Sequence, residues 1–561
     1  MVSFLTVTEL FLSSSRALYS LTLTVSILVA SGYIGYALFR RFRRPHSTRL
    51  KGPPITGRNF LFGVLPDILK APYPGALYEG WAAQFGSVFS VPAPFGSKSL
   101  VLTDPKAIAH FAARETYGYV QTPRAKHFQE RLIGRGLFWA EGDSHKRRTP
   151  SPSLVSHVTN KFSRQRRALN PAFTSAAIQN LAHIFFDSAY KTKAAWDVML
   201  ESGPSNGTVI EVQLWMNHIS LDTIGLAGFG HDFGTLSGKE SSIAAAFDTI
   251  ATKGSFWDTT FFMLSFALPI MSSVPTGRRI LLNQLTKTMF SLGDKFLETE
   301  TTRDVATDKS VMGLLVKSAS TEKISHEEVK AQINVLLLAG YETTAVSLTW
   351  ALIELSRHPE IQTRLREELL QSEGDLNWED LTNHGSFLDA VTCEILRFHP
   401  PLGEIQRMAA EDDILPLSAP IEAADGRLVD SIFVTKGQLI TLPIECINRS
   451  EAFWGPDAKI FNPARWLDET DGANKHRAQD IQGYRHLLTF SDGARICLGK
   501  VFAVSEFKAV LSVLVRNYTF ELPKGPDTVI GRHRNILPRP KVEGEAGYDV
   551  PLKVRHYVAP E

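Results

Sequence analysis

The sequence predicts a mainly α-helical protein with smaller β-sheets, an α+β fold, preceded by one N-terminal transmembrane helix. From about residue 170 to 400 the pattern of apolar residues is mostly helical. Short apolar runs separated by Gly and Pro predict a small sheet between residues 55 and about 105, and strand patterns return from about 405 to 445. The 561-residue chain shows no internal repeat, so we expect one domain after the N-terminal segment.

The N-terminal segment contains 23 consecutive residues without a charge, Ala17–Phe39. As a helix this run spans about 34 Å, which is enough to cross the apolar core of a bilayer. A basic cluster follows at once, and the positive-inside rule then places the rest of the chain in the cytosol. We therefore expect a membrane anchor at 1–44, a basic and proline-containing hinge at 45–55, and a globular domain at 56–561. A cleaved signal peptide is the alternative.

Composition excludes two classes of protein. The formal net charge of +2 gives no bulk electrostatic case for binding nucleic acid. The three cysteines, Cys393, Cys446 and Cys497, cannot form a disulfide framework and fit a domain kept in a reducing compartment.

A long, proline-free stretch from Ser325 to Arg357 predicts one buried helix that begins with an S-x-x-E capping box. Its centre contains Gly340, Glu342 and Thr343, which are poor choices for the middle of a buried helix. Gly340 removes a side chain where another group must come close. Glu342 and Thr343 are therefore candidates for a functional acid–alcohol pair. The alternative is a contact between helices that uses small residues.

The residues around Cys497 form the most specific pattern in the chain, F-x-x-G-x-R-x-C-x-G. Phe490, Gly493, Arg495 and Gly499 occupy its other fixed positions. A cysteine thiolate can ligate a haem iron and donate electron density that favours O–O cleavage. Glycines let the backbone approach a flat macrocycle, and an arginine can pair with a propionate. The alternative is a buried, inert thiol.

Two further segments carry weaker patterns. Glu394 and Arg397 form E-x-x-R, a spacing that places both side chains on one helix face. Most such pairs are solvated surface pairs. About sixty residues later comes Phe461-Asn-Pro-Ala-Arg465-Trp466.

Together and in this order, spanning roughly residues 50 to 525, these motifs resemble those of the cytochrome P-450 family. The resemblance implies the cytochrome P-450 fold and haem b with Cys497 as axial iron ligand. It implies that Glu342 and Thr343 relay protons to iron-bound dioxygen. It also implies a structural network of Glu394, Arg397 and Arg465. The family commonly has an acidic residue where Ala464 stands, a difference we expect to be harmless.

The resemblance also suggests which residues hold the haem. Phe490, Gly493 and Gly499 would shape the loop around the cofactor. The expected partners of the propionates are Arg495, Arg407 and Arg166. When Lys146 is joined directly to Arg164, Arg166 belongs to a W-x-x-x-R pattern of the family. His145 then takes the aromatic position.

The implied reaction is haem-thiolate monooxygenation: one oxygen atom of O2 enters a lipophilic small molecule and the other leaves as water. Electrons would come from NADPH through a separate cytochrome P-450 reductase, with cytochrome b5 as a further candidate partner, because the chain contains no flavin or dinucleotide motif. Lys500 is a candidate reductase contact. The resemblance places the anchor in the endoplasmic reticulum membrane, as a single pass. The motifs are similar to those of fungal members that oxidise terpenoids and other secondary metabolites.

Two other functions are compatible with a haem-thiolate protein. One is an isomerase or dehydratase that needs no external electrons, and the other is a non-catalytic haem carrier or sensor. The pair formed by Glu342 and Thr343 argues against both. An aromatic stretch at 256–266 is interpreted either as a boundary between a substrate channel and the membrane, or as plain core.

Residues 147–163 interrupt a helical pattern with a Pro- and Ser-rich segment. Joining Lys146 to Arg164 gives EGDSHKRQRRALNPAF, which is similar to an uninterrupted helix of the family. The 17 codons correspond to 51 nucleotides and keep the reading frame. We interpret the segment as a retained intron in the gene model. The alternative is a genuine surface loop, which proteins tolerate well.

Overall fold

The computed structural model describes residues 47–56, 59–68, 70–71, 73, 75–142, 161–252, 276–302, 310–322, 324–467, 477–534, 536–545 and 549–559. One compact unit comprises Leu50–Glu561. The predicted anchor, most of the predicted insertion, His145 and the aromatic stretch at 256–266 lie outside the described residues.

The described part of the chain is mainly helical, as predicted. Its α-helices are α1 (Leu65–Ile68), α2 (Gly75–Phe85), α3 (Pro105–Arg114), α4 (Pro123–Ile133), α5 (Lys161–Leu169), α6 (Ser175–Gln179), α7 (Ala182–Glu201), α8 (Val212–Phe229), α9 (Ser242–Thr252), α10 (Gly277–Thr302), α11 (Val311–Glu322), α12 (His326–Arg357), α13 (Pro359–Leu370), α14 (Trp378–Thr382), α15 (Phe387–Phe398), α16 (Ile444–Asn448), α17 (Glu451–Trp454) and α18 (Lys500–Asn517).

The strands are β1 (Val88–Ala93), β2 (Ser97–Leu102), β3 (Tyr119–Val120), β4 (Thr208–Glu211), β5 (Ile405–Ala409), β6 (Asp413–Glu422), β7 (Leu428–Val434), β8 (Leu439–Leu442), β9 (Tyr518–Glu521), β10 (Ile530–Arg534), β11 (Pro538–Val542) and β12 (Pro551–His556). The largest sheet has the order β1-β2-β8-β5-β3, in which β2 and β8 are parallel. A second sheet has the order β4-β12-β9, and β6–β7 and β10–β11 are two-stranded antiparallel pairs. The two regions with predicted strands thus share one sheet.

Helix α12 forms the centre of the helical part. It begins at the predicted capping box, where the Ser325 hydroxyl accepts from the Glu328 amide at 3.2 Å and the Glu328 carboxylate accepts from the Ser325 amide at 3.1 Å. Its 32 residues pack against α8, α10, α15 and α18. Among the described helices it alone is long and apolar enough to cross a membrane, but 78% of its most apolar window is buried within the protein. It is therefore a core helix.

Gly340 allows α12 and α8 to approach each other closely. A Cβ atom at this position would lie 2.8 Å from Cγ1 of Ile224 on α8. The group that comes close to Gly340 is thus a side chain of the neighbouring helix, which supports the interpretation of this glycine as a helix–helix contact.

The buried carboxylate of Glu394 on α15 collects donors from two segments of the chain. The Arg397 guanidinium donates to both carboxylate oxygens at 2.8 Å, and Arg465 Nε donates at 3.1 Å. Further donors are the Asn462 amide at 2.9 Å and the Trp466 indole at 2.9 Å. Glu394 and Arg397 are completely buried. Burial alone would raise the pKa of Glu394, but the two arginines lower it, so the group stays ionised.

The same network reaches the chain just before the cysteine loop. Arg397 donates to the Asn448 and Ala458 carbonyls at 2.9 and 2.7 Å. The Asn448 side chain donates to the Thr489 hydroxyl at 2.8 Å and accepts from the Leu488 amide at 3.2 Å. These bonds tie α15 and α16 to residues 488 and 489, which directly precede Phe490.

Replacing Arg397 with Ala should strongly destabilise the protein, because it leaves the Glu394 carboxylate buried without its main partner. Breaking one side of a buried ion pair costs about 3–5 kcal/mol. Chemical denaturation of the full chain measures this loss.

The matched control is Arg427→Ala, which removes the ion pair with Asp425 at 2.7 Å on the protein surface. An exposed pair contributes little because solvent screens it, so this variant should be close to wild type. Equal stability losses in the two variants would contradict the structural role of Arg397.

Candidate functional site

The loop that carries Cys497 is held by its own backbone. It contains a 3-10 turn over Gly493–Arg495, and the Cys497 amide donates to the Phe490 carbonyl at 2.8 Å. Gly493 has a φ of 63°, and a Cβ atom there would lie 2.3 Å from the carbonyl oxygen of Ala112 on α3. Only glycine fits this position, because both the backbone conformation and the close contact exclude a side chain.

Cys497 lies deep in the protein and yet retains accessible surface. Burial raises the pKa of its thiol, while the Gly499 amide and the positive charges of Arg166 and Lys500 act in the opposite direction. The burial of Cys497 and its accessible surface agree with each other if that surface faces a space inside the protein. A thiol in such a place can reach a ligand held inside the protein, and the nearby amide and cations offset part of the rise in its pKa.

Three predicted arginines converge beside this loop. Burial, followed by the positive charges of Arg407 and Arg166, lowers the pKa of Arg495 to about 10. Arg407 is 2.8 Å from the carboxylate of Glu115, and Arg495 donates to the Ala140 carbonyl at 2.7 Å. Burial also lowers the pKa of Arg166. The arginines thus raise each other's electrostatic energy in a partly desolvated place.

Carboxylates also act on this cluster. Glu115 and Glu141 raise the pKa of Arg495, but Glu115 also pairs with Arg407 and Glu141 also binds Lys126 at 2.8 Å. Three arginines thus share one partly desolvated region with two carboxylates that have other partners. The propionates of haem carry the opposite charge, so the residues present fit this cofactor.

Phe162, which lies within the segment 147–163, is placed beside the site in the chain as given, and the sequence analysis missed it. It is buried in α5, four residues before Arg166, and the Arg495 guanidinium lies 4.8 Å from the centre of its ring. In the chain as given, Phe162 therefore takes the aromatic position of the W-x-x-x-R pattern, which was assigned to His145. The four-residue spacing in the uninterrupted sequence is the signal that could have identified it.

A partly exposed patch interrupts the buried surface of α12. It consists of Leu338, Ala339, Gly340 and Thr343, whose helical neighbours on both sides are buried. The Thr343 hydroxyl donates to the Ala339 carbonyl at 2.7 Å. This places one hydroxyl group in an otherwise apolar patch on the helix that packs against α18, the helix after Cys497.

Glu342 has different surroundings from Thr343. Its completely buried carboxylate accepts from Arg539 Nη2 at 2.8 Å and from the Leu537 amide at 3.0 Å. Successive residues of an α-helix point about 100° apart, which explains the separation. The structure thus directs the carboxylate to the β10–β11 segment and the hydroxyl to the patch.

The remaining predicted site residues take positions around the loop. Phe490 is buried and forms an edge-to-face contact with Tyr484 at 5.5 Å. Gly499 precedes α18, and a Cβ atom there would meet only Phe173, at the ordinary contact distance of 3.8 Å. Lys500 begins α18 and lies 4.9 Å from the Tyr484 ring.

The chain is similar to known proteins of one family. The family model for cytochrome P450 matches residues 53–543. Cytochrome P450 monooxygenase claP of Ampulloclitocybe clavipes is 52% identical over 530 residues, which are 92% of this chain and 94% of the relative. Cytochrome P450 monooxygenase claQ of the same fungus is 51% identical over 526 residues, 91% of this chain and 94% of the relative.

A more distant relative, ganoderic acid synthetase CYP5150L8 of Ganoderma lucidum, is 28% identical over 541 residues, 90% of this chain and 94% of the relative. The family model and the relatives at half identity cover nearly the whole chain, including the cysteine loop and α12. The chain therefore belongs to the cytochrome P450 family and is a cytochrome P450 monooxygenase, an oxidoreductase.

Proposed function

We propose that this monooxygenase oxidises a lipophilic small molecule in fungal secondary metabolism, with haem b held by Cys497 and electrons delivered from NADPH by a separate reductase. The observation that carries the proposal is the accessible Cys497 beside a cluster of three arginines. A thiolate ligand for the iron and arginines for the propionates are what an anionic haem requires.

Different residues would hold different parts of the cofactor. Cys497 would ligate the iron, and Arg495, Arg407 and Arg166 would bind the propionates. When bound, haem supplies the activation of dioxygen. Gly493 keeps the cysteine loop against α3, and the hydrogen bond from the Cys497 amide to the Phe490 carbonyl fixes the start of the loop.

Thr343 is our candidate for presenting a proton in the active site. Its hydroxyl lies in the partly exposed patch of α12 and is held by the Ala339 carbonyl. The buried Glu342 carboxylate on the same helical turn would replenish that proton from solvent. An isomerase or a haem carrier has no need of this pair, and NADPH consumption with purified reductase separates those alternatives from a monooxygenase.

The apolar character of the patch supports a lipophilic substrate. Leu338 and Ala339 have apolar side chains and Gly340 has none. A hydrocarbon surface can therefore contact them favourably, without burying a polar side chain. One relative is named for ganoderic acid synthesis. Together with the motif similarity to fungal members that oxidise terpenoids, this supports a terpenoid or related metabolite as substrate class.

A membrane location completes the proposal. Residues 1–44 would anchor the protein in the endoplasmic reticulum membrane as a single pass, with the globular domain in the cytosol, where the reductase and cytochrome b5 act. Lys500, next to the cysteine loop, is a candidate contact for the reductase.

The first prediction concerns the carbon monoxide difference spectrum of reduced membranes. We expect the red-shifted Soret band of a thiolate-ligated haem with wild type and none with Cys497→Ala, since alanine offers no ligand. A retained band in the variant would contradict the assignment of Cys497.

The same spectrum tests the retained-intron hypothesis when it is recorded for the chain with residues 147–163 and for the chain without them. We expect the Soret band only for the shorter chain. Equal bands would favour a tolerated loop. Transcripts that uniformly contain the 51 nucleotides would end the intron hypothesis.

The second prediction concerns Thr343→Ala. With reductase and NADPH but no organic substrate, electrons leave as peroxide or as water, and only water formation requires delivery of further protons to break the O–O bond. Loss of a proton-transfer group costs about 10²–10⁴-fold in its step, so peroxide should become the main product while haem is retained.

The matched control for this experiment is Thr349→Ala. Thr349 lies further along α12 and makes the same kind of hydrogen bond. Its hydroxyl donates to the Ala345 carbonyl at 2.8 Å, but the residue is completely buried. This variant should keep the wild-type ratio of peroxide to water. An identical ratio in Thr343→Ala would remove the proposed role of the hydroxyl.

The third prediction concerns deletion of residues 1–44. The shortened protein should require less detergent for extraction and should keep its difference spectrum, because the compact unit begins at Leu50. Full membrane integration after the deletion, resistant to alkaline carbonate, would contradict a single N-terminal anchor.

A further inference from the structure

The antiparallel β10–β11 hairpin carries two arginines that each bind a buried carboxylate on a different helix. Arg539 binds Glu342 on α12 at 2.8 Å, and Arg532 binds Glu445 on α16 at 2.5 Å. Both carboxylates are completely buried, and the two arginines expose only 8% and 12% of their side chains. Two ion pairs therefore attach the hairpin to two different helices.

The contact with Glu342 is more than a single ion pair. One carboxylate oxygen accepts from the Arg539 guanidinium, and the other accepts from the Leu537 amide at 3.0 Å, two residues earlier in the chain. A buried carboxylate with donors on both oxygens is held in one orientation. A neighbouring guanidinium also favours its ionised form over the protonated one.

We propose that Arg539 is a positioning residue for proton supply in the monooxygenase reaction. It sets the orientation and the charge of Glu342, and through Glu342 it controls how readily a proton reaches Thr343. Glu342 would take a proton from solvent and pass it on, and so end each cycle unchanged. The inference rests on the proposed function, and it assigns a role to a residue 197 positions after the acid it controls.

The functional test uses the full, haem-loaded chain with purified reductase and NADPH, without organic substrate. Arg539→Gln should raise the peroxide-to-water ratio and change the solvent deuterium isotope effect on water formation, because the acid is no longer held. Arg539→Lys keeps the charge and should recover part of the wild-type ratio. The double variant with Glu342→Gln should show no more peroxide than Glu342→Gln alone, since Arg539 acts through that acid.

Arg532→Gln is the matched control. It removes a buried arginine from the same hairpin and leaves Glu445 rather than Glu342 without its cation. It should disturb the hairpin to a similar extent but keep the wild-type ratio and isotope effect. If Arg532→Gln and Arg539→Gln raise peroxide equally, Arg539 is merely structural and the proposal fails. Additive effects of the Arg539 and Glu342 variants would also overturn it.

A stability measurement tests the pair independently of turnover. Arg539→Gln should lower the thermal unfolding midpoint, and adding Glu342→Gln should restore much of it, because an unpaired buried charge costs more than a neutral pair. No restoration would mean that the ion pair does not set the charge of Glu342, which overturns the proposal. If wild type consumed no NADPH while the midpoint was restored, the proposed function would fail and the pairing would stand.

Discussion

The cysteine loop depends on one buried charge, the carboxylate of Glu394. It is satisfied by Arg397 and Arg465, and Arg397 in turn holds the carbonyls of residues 448 and 458. Asn448 then holds residues 488 and 489, immediately before the loop. A carboxylate in an apolar core is stable only with all its donors in place, so the segments that provide them have little freedom to move. The position of Cys497 is in this sense set by an ion pair about a hundred residues earlier in the chain.

Several other deeply buried charges are satisfied by an ion pair in the same way. Asp389 binds Lys508 at 2.7 Å, Glu445 binds Arg532, and Glu342 binds Arg539. The cluster around Arg495 differs from these pairs, because three arginines lie together in one partly desolvated region. This arrangement puts positive charge beside an accessible thiol. An anionic ligand is the simplest partner for both.

Features governed by nearby residues could be predicted from the sequence. The capping box of α12 and the glycine of the cysteine loop follow local rules, and the mainly helical fold follows from periodicity. Features that depend on distant contacts could not be predicted. The partner of Glu342 lies on a hairpin near the end of the chain, and β2 pairs with β8 across more than three hundred residues. Phe162 was not predicted for another reason. The predicted helix joined Lys146 directly to Arg164, whereas the given chain has residues 147–163 between them.

The unusual composition of one turn of α12 has a physical explanation in these contacts. Gly340 makes room for Ile224 on α8, Glu342 binds the β10–β11 hairpin, and Thr343 presents a hydroxyl in the partly exposed patch. Gly340 and Thr343 have low helix propensity and the Glu342 carboxylate is costly to bury, but each residue meets a different neighbour around the helix. The helix tolerates all three because its stability comes from burial along 32 residues rather than from local propensity. A core helix can therefore carry a hydroxyl in a partly exposed patch and, one residue earlier, a buried acid that is bound by a hairpin 197 positions later in the chain.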